Sequence, residues 1–185
     1  MQSASKGVGY IETGNHCTFL AEALAGWLPL AAFLHIVREP RAVIRSGVVR
    51  KWYVAMAKYD RTRIRPLAGS AEDRAWEGWS QMQKIAWLWA ATNRYILDFT
   101  KRYPGRVLLV RAEDLFDMDS GVYETLFAFL DLASLPTEVV HAVLRQQINR
   151  QHGLERFPAS EAWTPKMNAQ LLARAEPEMA ELGYE

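Results

Sequence analysis

The chain has a single cysteine, Cys17, among its 185 residues. No internal disulfide can form, which excludes a secreted scaffold held together by bridges. A chain of this length buries enough surface to do without such cross-links. The first fifteen residues also lack a basic start followed by an apolar run, so no secretory signal is visible and the expected location is cytoplasmic. Nor is there an excess of one charge. Lys and Arg number 22 against 21 Asp and Glu, a net charge of +1, which argues against a surface built throughout for DNA or a membrane. With no internal repeat and no low-complexity tract, residues 1–185 read as one soluble globular domain.

What is present is uneven. From Arg38 to Arg65 the chain carries nine Lys and Arg against two acids, and from Glu155 to the end three basic residues against six acids. One part of the molecule is thus made for an anion. The most apolar stretch, Cys17 to Val37, is long enough to raise the question of a membrane span. Glu22, Pro29 and His35 interrupt it, and Pro29 divides it into a helix-like half (Phe19 to Leu28) and a strand-like half (Ala32 to Val37). A helix, a turn and a strand covered on both faces account for it without a membrane.

Periodicity extends this pattern. Residues Gly9 to Glu12 predict a short strand. Pro40, tolerated in a first helical turn, precedes Val43, Ile44, Val48 and Trp52 at helical spacing. Lys58 to Ser70 is polar, basic and broken by Pro and Gly, and reads as a mobile loop of the kind that closes over ligands. Ala71 to Tyr103 reads as the longest helix. Its tryptophans lie on wide apolar stripes, which places them in the core rather than on a ligand platform. A strand at Arg106 to Val110 follows, then helices near Val122 to Leu132 and Pro136 to Ile148, and a last helix ending before Gly183. Strands alternating with helices imply an α/β domain, a mainly parallel sheet flanked by helices in three layers.

The most informative segment is Phe33 to Val49, FLHIVREPRAVIRSGVV. Here an apolar strand ends in Arg38, a tight turn follows, and a helix carries Ser46. In open parallel sheets ligands bind beyond the carboxyl ends of the strands, where Arg38 emerges. Its guanidinium can grip a phosphate through two parallel hydrogen bonds, and the Ser46 hydroxyl can serve the same anion. Arg41, Arg45 and Arg50 add positive potential along that edge.

With these residues in place, the sequence resembles the sulfotransferases that use 3′-phosphoadenosine 5′-phosphosulfate. Their second nucleotide motif is an apolar strand, then Arg-x-Pro, a short apolar run, and a Ser eight residues after the Arg; Arg38, Pro40 and Ser46 match it. The resemblance implies a P-loop NTPase-like sulfotransferase fold in which Arg38 and Ser46 hold the 3′-phosphate of the nucleotide. Trp87 to Leu115 is similar to the family's long helix, strand and Tyr-Glu-Asp-Leu signature. Glu113, Asp114 and Leu115 match, while Ala112 stands where many members have Tyr. Trp163 and the closing Leu182-Gly183-Tyr184 are like bacterial members. The likeness spans about Tyr10 to Tyr184. The family's first motif, a strand followed by a Lys/Arg-Ser-Gly-Thr-Thr type loop and a helix, has no counterpart here, so the chain resembles a sulfotransferase without its first strand, phosphate loop and first helix.

Sulfuryl transfer needs a base for the acceptor's proton and cations for the leaving nucleotide. Cytosolic members carry a catalytic His shortly before the strand of the second motif, and His16, 22 residues before Arg38, is comparably placed. Carbohydrate-type members often have Glu-Lys-Ser there, and Glu12 matches the Glu. The resemblance therefore implies His16 and Glu12 as base candidates and a small-molecule or glycan acceptor with a hydroxyl or amine. The other readings are structural. His35 is expected to be a hydrogen-bonded core residue, and Glu113 a contact orienting a loop or capping a helix. His141 and His152 have no companion ligands for a metal. The Arg61 to Arg65 segment lacks the interleaved aromatics of a nucleic-acid site. The alternative to an enzyme is an inactive or partial nucleotide-binding or interaction module that keeps only the 3′-phosphate site and is completed by a partner chain. Under either reading, a sheet edge exposed by the missing first strand favours association into a homo-oligomer.

Overall fold

The computed structural model describes residues 10–54, 60, 63–117, 121–146 and 153–185; at positions 15 and 16 it describes the backbone alone. The chain divides into two compact units, one ending at Ala31 and one spanning Ala32–Glu185.

In the first unit a 3₁₀ turn, Asn15–Leu20, leads into helix α1, Ala21–Trp27. The strand expected at 9–12 is not formed by its described residues, 10–12. Tyr10 and Ile11 are exposed, among the described residues no strand pairs with them, and the backbone instead turns around the Glu12 carboxylate.

The second unit is mixed α/β and mostly helical. Strand β1, Phe33–Val37, lies parallel to β2, Val107–Arg111, with Phe33 opposite Val107 and Val37 opposite Arg111. Among the described residues this sheet has two strands. The expected covering on both faces is not observed: His35 and Val37 are buried, whereas Leu34 and Ile36 are exposed. A run of five apolar-rich residues does not reveal how many faces are covered, because the same sequence suits either environment.

Helix α2, Pro40–Val49, follows β1 directly. It ends before Trp52. Lys51 adopts φ 58°, and Trp52 N–H returns to the Gly47 carbonyl at 2.9 Å, folding the indole back over the helix it was expected to extend. A β-carbon on Gly47 would meet Trp52 Cε3 at 2.6 Å, so only glycine permits this approach.

The long helix expected over 71–103 is broken. Helix α3, Ala71–Ala75, gives way to a 3₁₀ turn at Trp76–Gly78, and Ser80 then starts helix α4, Gln81–Arg102, with a reciprocal capping box to Gln83. The tryptophans do lie in the interior. Trp76, Trp79 and Trp87 form a buried cluster, and Trp89 joins the main core. The loop expected to be mobile falls partly outside the described residues, and its described part makes specific contacts. Ile64 accepts a 2.6 Å hydrogen bond from the Tyr53 hydroxyl, and the Arg63 guanidinium lies 4.0 Å over the Trp52 ring.

Beyond β2 come the short helices α5, Ala112–Phe116, α6, Val122–Phe129, and α7, Thr137–Leu144, and then α8, Pro165–Glu181. The core lies where α4 packs against α2 and α8, with Ile44, Ile85, Leu171 and Ala175 fully enclosed.

A buried polar pair, His35 and Asn93, lies within this unit. His35 is 4% exposed, and its Nε2 lies 2.8 Å from Asn93 Oδ1, as expected of a bonded core histidine. Asn93 spends its amide N–H on the Trp89 carbonyl, so its oxygen faces the ring and His35 Nε2 carries the proton. Burial depresses the His35 pKa, only partly offset by Asn93. The folded state thus resists a proton that the unfolded chain accepts below about pH 6.5. Stability is retained above that pH and falls as the solution is acidified toward the depressed value, by up to about 1.4 kcal/mol per pH unit. Urea melts from pH 7.5 to 5 should show this loss, and the double variant His35→Leu/Asn93→Leu should abolish it. An unchanged slope in the double variant would place the sensitivity elsewhere.

Candidate functional site

The carboxyl ends of β1 and β2 bring together residues far apart in sequence. Register sets Val37 beside Arg111, so the β1–α2 turn (Arg38, Glu39, Pro40) and the β2–α5 junction (Arg111 to Glu113) emerge side by side. Two groups fix the turn through its backbone. The Trp89 indole N–H donates to the Arg38 carbonyl at 2.9 Å, and the Glu39 N–H donates to Glu113 Oε1 at 2.9 Å. Glu113 therefore orients the loop, as expected from the sequence.

The other Glu113 oxygen accepts from the Tyr184 hydroxyl at 2.9 Å. Tyr184 reaches this position through the end of α8. Gly183, at φ +73°, reverses the chain, and Tyr184 N–H returns to the Met179 carbonyl at 2.8 Å, a left-handed closure suited to glycine. The Arg111 guanidinium lies 4.2 Å over the Tyr184 ring. Burial pulls the Glu113 carboxyl upward. The amide of Glu39, its own amide, the Tyr184 hydroxyl and the Arg111 charge outweigh that pull and hold its pKa below the ordinary value. Burial, and next the Glu113 hydrogen bond, raise Tyr184. The pair therefore stays a carboxylate accepting from a neutral phenol.

The arginines of this edge divide by use. Arg41 donates to Asn168 Oδ1 at 3.1 Å, to Glu39 Oε1 at 3.2 Å and to the Glu185 carbonyl at 2.6 Å. Arg45 donates to the Leu154 and Phe157 carbonyls. Both are committed to holding the chain. Arg50 is exposed. Arg38 keeps an exposed side chain on a fixed backbone, and among the described residues no carboxylate forms an ion pair with it. The start of α2 is closed by its own N-cap, since Glu39 accepts from Ala42 N–H at 2.6 Å and Pro40 has no N–H to offer. At this edge the exposed Arg38 guanidinium, rather than the capped helix end, is open to solvent. Ser46 is partly buried, seven residues beyond Glu39 and so about 10 Å along the axis, and about 200° around the helix from the core residue Ile44.

The two base candidates belong to the first unit. Both Glu12 oxygens are engaged, one by the Tyr10 hydroxyl at 2.7 Å and one by the Gly14 N–H at 2.7 Å, and these bonds lower its pKa. His16 lies in the 3₁₀ turn, and its side chain is outside the described residues. Among the described residues no group of three His, Cys, Asp or Glu is placed to hold a metal ion, and no helix is long and apolar enough to cross a membrane.

Sequence reasoning missed Arg111, Trp89 and the latching role of Tyr184. A signal for Arg111 was present: LLVR repeats the pattern of HIVR, an apolar strand closing on arginine, and parallel pairing puts both endings at one edge. The sequence matches no family model, no curated protein and no solved structure.

Proposed function

We propose that the carboxyl edge of the β1–β2 sheet binds the 3′-phosphate of an adenine nucleotide, within a P-loop NTPase-like sulfotransferase fold. In this reading the chain serves sulfuryl transfer from 3′-phosphoadenosine 5′-phosphosulfate to a hydroxyl or amine of a small molecule or glycan. The observation that carries it is Arg38, an exposed guanidinium at the end of a parallel strand, with its carbonyl and the next amide both clamped. A rigid backbone lowers the ordering cost of gripping a phosphate. Ser46 on the following helix supplies the second contact in the family's motif, and His16 or Glu12 would serve as base.

One observation favours the narrower reading of a nucleotide-binding module without transfer chemistry. The Glu12 carboxylate has both oxygens occupied and a lowered pKa, which makes it a weak acceptor of the acceptor's proton.

Calorimetric titration of the full chain with adenosine 3′,5′-bisphosphate, beside adenosine 5′-monophosphate, tests the site. Saturable binding of the bisphosphate, at least about tenfold tighter than the monophosphate, is expected from one charged contact to the 3′-phosphate. Equal affinities, or none in a folded protein, would remove the nucleotide reading. If binding holds, radiolabelled sulfuryl transfer to a panel of alcohols and amines separates enzyme from binding module.

A further inference from the structure

Helices α5, α6 and α7 contain no buried residue, although α6 and α7 are predominantly apolar in sequence. The tip joining α6 to α7 is exposed without interruption from Asp131 to Val139. Phe116, Leu132, Leu135, Val139 and Val143 are all open to solvent. Between α6 and α7 lies a cleft of about 180 Å³ lined by Tyr123, Phe127, Leu135 and Val140 with Glu124 and His141. On α7, Val139 and Val143 lie one turn apart, on a different side of the helix from the cleft-lining Thr137, Val140 and His141. Val139 and Val143 thus make an apolar strip on the exposed side of α7.

Charge identifies what covers it. From Ala112 to Leu144 the chain carries seven Asp and Glu and not one Lys or Arg, within a protein whose overall charge is +1. Asp117 adjoins Phe116, Asp131 adjoins Leu132, and Glu138 adjoins Val139, so three of these five exposed apolar residues have a carboxylate as their chain neighbour. An apolar face set among acids selects a partner with apolar anchors flanked by cations, since steering and register come from opposite charge and affinity from the buried anchors.

We infer that the α6–α7 hairpin is a docking surface for a basic amphipathic helical segment of a partner protein. The apolar residues of that segment seat against Val139 and Val143, and its Lys and Arg face Asp131 and Glu138. This surface is independent of the nucleotide reading.

The test uses the full chain and a fluorescein-labelled amphipathic peptide with leucines three and four residues apart and lysines along their flanks, read by anisotropy. Two control peptides keep the lysines but replace Leu by Ser, or keep the leucines but replace Lys by Glu. The expected result is binding of the first peptide about tenfold or more tighter than of either control, weakened by added salt. The double variant Val139→Asp/Val143→Asp should lose about tenfold or more. Both positions are exposed, so its circular dichroism should match the wild type. Glu138→Lys, which adds no apolar loss, should weaken binding and flatten its salt dependence. Equal binding of the Lys-only peptide, or of the first peptide to the double variant, overturns the proposal. So does self-association of the wild type that the double variant abolishes, which would make a second copy the occupant, or wild-type binding to phosphatidylcholine vesicles, which would make it a lipid surface.

Discussion

Phe99→Ala is expected to lower stability by about 3–5 kcal/mol, the range for emptying a well-packed aromatic site. Phe99 is 1% exposed, the largest of the fully enclosed side chains. Its ring meets Phe33 edge-on at 5.0 Å and tilts against Tyr103 at 4.7 Å, joining the start of β1 to the end of α4. Removing it forfeits both transfer energy and aromatic contacts, and the two elements can collapse into the space only by shifting β1. A domain with roughly 5–15 kcal/mol in hand loses a large fraction of it. For a chain of this size the melting temperature should fall on the order of 6–20 °C. Thermal unfolding followed by circular dichroism measures it. A shift below about 3 °C would mean that the site refills and that β1 is held by other contacts. The effect reaches the functional edge as well, because Phe33 opens the strand whose other end presents Arg38.

How much of this was legible depended on the range of the interaction that decides each feature. Local signals were read well. The Pro40 start of α2, the stop before Gly183 and the apolar strand before Arg38 each follow from backbone chemistry within a few residues, and the structure places them as expected. Features decided by distant partners were not. The helix break at Trp76–Ser80 sits within a tryptophan stripe that runs on in sequence, and the Ser80–Gln83 capping box competes with that stripe. The contact of Arg63 with the Trp52 ring joins residues eleven positions apart, and nothing in the polar composition of the loop announces it. The Glu39–Glu113–Tyr184 chain of hydrogen bonds joins residues 74 and 71 positions apart, pairings that no local pattern encodes. The site was therefore half visible. Its outward-facing cation could be named from its motif, whereas the groups that hold that cation's backbone could not.

That division shapes the second expectation, which concerns Arg38→Ala. Losing a charged hydrogen bond of about 1.5–3 kcal/mol should weaken adenosine 3′,5′-bisphosphate roughly 10- to 150-fold and leave adenosine 5′-monophosphate unchanged. The turn itself should survive, because Trp89 and Glu113 hold the Arg38 carbonyl and the Glu39 N–H rather than the side chain that is removed. Ser46→Ala, which removes a neutral hydroxyl, should cost only about 2- to 12-fold. Arg41→Ala supplies the contrast. Its guanidinium ties Glu39, Asn168 and the Glu185 carbonyl together, so its loss should lower the melting temperature while affecting affinity less than Arg38→Ala does. Calorimetry and melting curves on the three variants separate gripping from scaffolding. If Arg38→Ala binds like the wild type, a bound 3′-phosphate does not rest on the strand-end cation. The exposed guanidinium would then be an ordinary solvated surface charge, and the proposed 3′-phosphate site would fall with it.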